Sequence, residues 1–342
     1  MSHKLIKTCL KFSPVLIFML LFQLAGAQTD SIQLINILTK YEKSLGKNYA
    51  VVINKNGKNV FSKETIDFKL KSAAPIGDCS KWLTTALTLI YVDEGKIKLD
   101  DPISKYIPLF EKYMKGYITI RHCLSQTSGI ESEAQGVLKI TQKSKFETLE
   151  EEVNYYASKK AIVDNPGTYF TYGGIGSNIV ARVLEVITNK TFDRIAIEKL
   201  FRPLGMKTAS FYSEKGAVNA SYGAMASAFD LNNFLQMILN NGMFNGKKVL
   251  SENSISEIKK TQFPTIKTRF TPDDIKGYDY AMGTWKKSDA DPNKISMLLS
   301  PSFTGSWMWI DLDNKYTGVI ILETPSSFSK LDFFEEFSGA IK

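Results

Sequence analysis

The chain has 342 residues, 43 basic against 35 acidic, a formal net charge of +8 and only two histidines. That length exceeds what one hydrophobic core ordinarily holds, so two lobes or one large composite domain are expected. Scarce histidine excludes a zinc site built on several imidazoles. The scattered basic pairs Lys159-Lys160, Lys247-Lys248 and Lys286-Lys287 read as solvated surface rather than a nucleic-acid track.

The first segment carries Lys4, Lys7 and Lys11, an apolar run from Val15 to Leu24, and Ala25-Gly26-Ala27. A basic region, a short apolar core and an A-x-A site predict a signal peptide over 1–27, with Gln28 as the mature start. The run is shorter than the ~20 residues a membrane-spanning helix needs. The expectation is an exported protein, periplasmic or secreted, with no stable membrane insertion after cleavage. No cysteine stands just after the cut, so no lipid anchor is expected. Cys79 and Cys123 remain and are expected to be free, buried thiols.

Residues 49–53 and 59–61 are strand-like and flank Asn54-Lys55-Asn56-Gly57-Lys58, which predicts a hairpin. Next, Leu83, Ala86, Leu87 and Ile90 recur at i, i+3, i+4 and i+7, predicting an amphipathic helix that Gly95 stops. Asp78 is the expected N-cap. Positions 78 and 81 share a helical face, whereas Cys79 and Ser80 point elsewhere around the axis.

Further helices are predicted near 118–124, 149–157, 177–187, 192–200 and 228–239. Strand patterning returns after Tyr278, with 306–310 and 317–322 flanking the turn Asp313-Asn314-Lys315, and a last helix runs from Leu331 to Ile341. This order suggests an α/β lobe from 28–77 and 245–342 and a helical lobe over 78–244. His122 is the lone histidine of the mature chain, and no G-x-S-x-G elbow accompanies it. A Ser-His-Asp triad therefore has little to draw on.

Several segments together resemble the penicillin-recognising serine hydrolases, in the branch of class C β-lactamases, D-alanyl-D-alanine peptidases and esterases. PIGDCSKWLTTALTLIYVDEGKIKLDDPISKYIP is similar to the nucleophile helix of that branch and its following loop, and ITIRHCLSQTSGI to a second signature helix. NPGTYFTYGGIGSNIVARVLEVIT resembles the tyrosine segment, LFRPLGMKTASF the stretch after it, and LLSPSFTGSWMWIDLDNKYTGVIIL the last active-site strand. The resemblance implies an α/β (α+β) beta-lactamase/transpeptidase-like fold. An antiparallel sheet flanked by helices would stand beside a helical domain, with an active-site crevice between them.

It also implies roles. Position 78 would be acylated, Lys81 would accept its proton and Tyr172 would be a second acid/base. Backbone amides at position 78 and on the last strand would form an oxyanion hole. Gly174, Ser300, Ser302, Thr304 and Gly305 would contact substrate. No cofactor or metal is implied. The ligand would be a small molecule, a peptide or a cell-wall-derived fragment, with no nucleic acid partner.

Four features depart from that pattern. Asp78 has no hydroxyl to acylate, and a carboxylate beside Lys81 at a helix start is stabilised as the anion. Gly174, in the pair Gly173-Gly174, stands where many members of that family carry asparagine, although a glycine pair occurs in parts of it. Ser300-Pro301-Ser302 replaces a Lys-Thr-Gly or His-Thr-Gly motif, so the cation that would hold a substrate carboxylate is missing. Gln126 stands where histidine is common. Three functions are therefore expected to compete. They are a catalytically impaired homologue that binds a peptide, cell-wall or acyl ligand, an active hydrolase using Asp78 to activate water, and a structural envelope protein.

Overall fold

A computed structural model of the chain describes residues 31–132, 144–213, 215–288, 294–302, 304–324 and 331–341. The expected signal peptide lies outside the described residues, as does Phe303. Strands β1 (Tyr49–Lys55) and β2 (Lys58–Glu64) form the predicted hairpin. They turn at Asn56-Gly57, both at positive φ, as a tight two-residue connection requires. The other strands of the same sheet come from the other end of the sequence: β3 (Asp279–Tyr280), β4 (Trp285–Ser288), β5 (Ile295–Pro301), β6 (Trp307–Asp311) and β7 (Tyr316–Leu322).

These seven form one sheet in the order β2-β1-β7-β6-β5-β4-β3, antiparallel throughout. The hairpin joins the rest through the register Tyr49↔Leu322 to Lys55↔Tyr316. Every residue of β7 is buried, as a strand covered on both faces should be. In the edge strand β2 only Phe61 is buried.

Residues 31–40 are helical (α1). The helices that follow include α2 (Ser80–Asp93), α3 (Ile120–Leu124), α4 (Leu149–Lys159), α5 (Ile175–Thr188), α6 (Ala228–Leu239), α7 (Glu252–Lys259) and α8 (Leu331–Gly339). Helix α6 lies against β7, β1 and β6, and α2 lies against α5 and α7. The predicted helix over 192–200 is a short α-helix, Phe192–Ala196, that continues as a π-helical turn, Ile197–Phe201. Residues 31–42 and 331–341 belong to a small unit of their own, in which Tyr41 meets Phe333 edge-on and Lys40 Nζ lies 2.7 Å from Glu336. Among the described residues no helix is long and apolar enough to cross a membrane.

Two expectations about α2 fail. The helix is not amphipathic: every residue from Ser80 to Tyr91 is buried. Two hydroxyls on its polar side find acceptors, Thr84 Oγ1 donating to Ala220 O at 2.6 Å across the fold and Thr88 Oγ1 to Thr84 O at 2.8 Å within the helix, while the buried Thr85 Oγ1 has no partner among the described residues. Nor does Asp78 cap the helix. A 3-10 turn, Gly77–Cys79, precedes α2, the N-cap residue is Cys79, and no side chain caps either start. Gly77 enters this turn at φ +52, so helical winding begins before Asp78 and frees its carboxylate for other partners.

Candidate active site

Asp78 and Lys81 lie one helical turn apart at the start of α2. Lys81 Nζ donates to Asp78 Oδ1 at 2.5 Å, and the two side chains are 1% and 2% exposed. Tyr172 follows the short strand Tyr169–Thr171, which pairs in parallel with Lys267–Phe270. Its own amide donates to Phe270 O at 3.2 Å. That pairing brings Tyr172 Oη within 3.1 Å of the same Asp78 Oδ1. Lys81 Nζ also stands 4.5 Å from the centre of the Tyr172 ring and 4.6 Å from that of Tyr222. Both rings face the ammonium with their negative π surface.

The electrostatics follow from burial. Burial pulls the Lys81 ammonium below its ordinary value, opposed by the charge of Asp78 and its hydrogen bond. Burial, and then the charge of Asp78, push the Tyr172 phenol well above its ordinary value. Tyr222 moves the same way for the same two reasons. Tyr172 thus holds its proton and donates it in a hydrogen bond. Around it, Tyr280 and Trp285 close an aromatic wall, with ring centres 5.7 and 5.2 Å from Tyr172.

The neighbours of Asp78 face away, as their spacing predicts. Cys79 Sγ donates to Ser300 O at 3.1 Å, and burial pushes this thiol up to about 12, so it is not a ready nucleophile. Ser80 Oγ donates to Gly77 O at 2.6 Å and accepts from the Ala224 amide at 3.1 Å. Cys79 and Cys123 are both free and buried, as expected.

On the strand side, Ser302 follows β5. The amides of Asp78 and Thr304 donate to Ser302 Oγ at 3.0 and 3.1 Å, and Thr304 Oγ1 lies 2.9 Å from it. Ser302 is pinned at both ends: its amide donates to Ser306 O at 2.9 Å, and the Gly305 amide donates to Ser302 O at 2.8 Å. A profile of the family described as Beta-lactamase matches residues 39–333.

The chain belongs to the beta-lactamase family.

It is 26% identical over 195 residues to Protein flp of Staphylococcus aureus (strain NCTC 8325 / PS 47), a match covering 53% of this chain and 39% of that protein. It is also 26% identical over 179 residues to the D-alanyl-D-alanine-carboxypeptidase/endopeptidase AmpH of Escherichia coli (strain K12), covering 52% and 46%. The chain therefore spans less than half the length of these relatives. A crystal structure from Bacteroides dorei DSM 17855 is 25% identical, with a TM-score of 0.80 over 90% of this chain and 97% of that one. EstCE1, a hydrolase with promiscuous acyltransferase activity, shares the fold at 15% identity, with a TM-score of 0.75 over 93% and 99%.

In this beta-lactamase-family chain the residues singled out from sequence fall into two groups. Asp78, Lys81 and Tyr172 meet at Asp78 Oδ1, while the amides of Asp78 and Thr304 meet at Ser302 Oγ. Ser300 touches the site through its carbonyl, on Cys79, and Gly305 through the turn that pins Ser302. Gly174 is buried at the start of α5, without a side chain to contribute.

Sequence reasoning missed Tyr222, Tyr280 and Trp285, which wall the site from distant segments with no spacing to announce them. Gln126, which stands where histidine is common, positions the tyrosine segment. Its Oε1 accepts from the Gly173 amide at 3.0 Å and its carbonyl from the Thr171 amide at 3.0 Å. His122 serves the start of α3, where its amide donates to Thr119 Oγ1 and its Nδ1 accepts from the Thr119 amide, each at 3.2 Å.

Proposed function

We propose that this protein is a non-acylating member of the beta-lactamase family, with Asp78 standing where the family's nucleophilic serine belongs. On this reading it binds a peptide, cell-wall or acyl ligand without forming an acyl-enzyme. The observation that carries it is the buried contact of Asp78 Oδ1 with both Lys81 Nζ and Tyr172 Oη. The two groups that would activate a serine hydroxyl instead neutralise and hydrogen-bond a carboxylate. Attack by that carboxylate would give an anhydride, a poorer outcome than the amide or ester attacked. Loss of the nucleophile leaves roughly 10³–10⁴-fold from the rest of such a site.

The same contacts oppose the hydrolase reading, in which Asp78 activates water. The carboxylate oxygen already accepts from an ammonium and a phenol, so it is engaged rather than free to take a proton from water. Residues 1–27 act, on this proposal, as an export signal, so the mature protein works in the periplasm or outside the cell. N-terminal sequencing of the mature protein should then begin at Gln28.

Two measurements on the wild-type protein test the functional reading. Calorimetry with a peptide ending in D-alanyl-D-alanine, the chemistry named for AmpH, should show binding. A p-nitrophenyl ester should show no turnover above a boiled control. Turnover that disappears in Asp78→Ala or Tyr172→Phe would establish the hydrolase instead.

A further inference from the structure

Two backbone amides that converge on one oxygen make the device that stabilises a carbonyl oxygen as it gains negative charge. Here that convergence exists, and its occupant is part of the chain. The amides of Asp78 and Thr304 both point at Ser302 Oγ, at 3.0 and 3.1 Å. Ser302 is 8% exposed and Thr304 is 1% exposed, so water does not compete freely for these donors.

The fit is close. A Cβ added to Gly77 would fall 2.0 Å from Ser302 Oγ and 2.9 Å from Thr304 Cγ2. The hydroxyl therefore rests directly on the bare backbone of the turn that presents the Asp78 amide. The hydrogen bonds of the Ser302 amide to Ser306 O and of the Gly305 amide to Ser302 O fix the backbone from which the hydroxyl projects.

We propose that the Ser302 hydroxyl is an internal occupant of the oxyanion cradle, competing with the carbonyl oxygen of any acyl ligand. This deepens the non-acylating reading and rests on it. The site would then carry two independent obstacles, a carboxylate in place of an alcohol and a hydroxyl in place of open space. Restoring serine at position 78 removes only the first. An ester or lactam carbonyl would still have to displace Ser302 Oγ from two amides before those amides could polarise it.

The test compares labelling by a fluorescent fluorophosphonate and a fluorescent penicillin across wild type, Asp78→Ser, Asp78→Ser with Ser302→Gly, and Asp78→Ser with Ser302→Ala. The alanine variant removes the hydroxyl while keeping the Cβ and the backbone preference. Thermal unfolding and near-ultraviolet circular dichroism verify the fold of each. Removing a single oxyanion donor costs enzymes roughly 10²–10³-fold, so freeing two should raise the labelling rate at least about tenfold over Asp78→Ser alone. Equal rates in folded single and double variants, whether both measurable or both nil, would overturn the proposal. Labelling of the wild type at Asp78 would instead overturn the non-acylating reading, and the Ser302 comparison would remain readable.

Discussion

Lys81 reaches Asp78 across one turn of backbone, with Nζ 2.5 Å from Oδ1, and both side chains are shut away from water. A buried pair of this kind contributes little net stability, because desolvation of two charges offsets their attraction. Breaking it is another matter. Lys81→Met leaves a buried carboxylate with only the phenol of Tyr172 among these partners and should cost about 3–5 kcal/mol in urea unfolding. Replacing both partners at once, Asp78→Ala with Lys81→Met, should cost clearly less than Lys81→Met alone. A double variant as unstable as the sum of its singles would show that the two groups do not act as a pair.

Tyr172→Phe removes a hydrogen bond to a charged, buried acceptor, and such bonds are worth about 1.5–3 kcal/mol. The ring, its contacts with the rings of Tyr280 and Trp285 and its face toward Lys81 remain, while Trp285 loses its side-chain hydrogen bond with the phenol. Denaturation should therefore register the loss of the hydroxyl and its bonds. A change below about 0.5 kcal/mol would mean the phenol does not bond Asp78 in solution.

The start of α2 was only partly legible in the sequence. Leu83, Ala86, Leu87 and Ile90 announced the helix, and the three-residue spacing of Asp78 and Lys81 announced their contact. The burial of Thr84, Thr85 and Thr88 on the opposite side could not be read, because tertiary neighbours such as Ala220 decide it. The N-cap assignment of Asp78 failed for a local reason, the positive φ of Gly77, which starts the winding early. The partnership of the Asp78 amide with Ser302 spans 224 residues. Sequence spacing says nothing across that distance, and only the family resemblance had brought the two segments together. The same holds for Tyr222, Tyr280 and Trp285.

Gly77 offers a check on the packing around Ser302. Gly77→Ala places a side chain at φ +52 and against Ser302 Oγ, and should cost about 1–3 kcal/mol. In a Ser302→Gly background the steric part disappears, so the penalty should shrink by about 0.5 kcal/mol or more. Full additivity in that cycle would place the two residues out of contact.

His122 gives a pH dependence. Burial holds its imidazole below the ordinary 6.5, with Asp100 pulling up and Arg121 pushing down. Its Nδ1 accepts from the Thr119 amide, which needs the neutral ring. Between the lowered folded value and the unfolded one, the unfolded chain binds more protons, so stability rises with pH across that window and is lost as pH falls through it. Urea midpoints should drop from about pH 7.5 to about pH 5.5, and drop less in His122→Asn. An imidazole resonance titrating at or above 6.5 would contradict this.

The central claim is that no acyl link forms on Asp78. Intact-mass and peptide mass spectrometry of the wild-type protein, after prolonged exposure to a penicillin and to a fluorophosphonate, test it most directly. The expected result is an unmodified Asp78 peptide under conditions that acylate a serine-bearing member of the family. An adduct on that peptide would contradict the account.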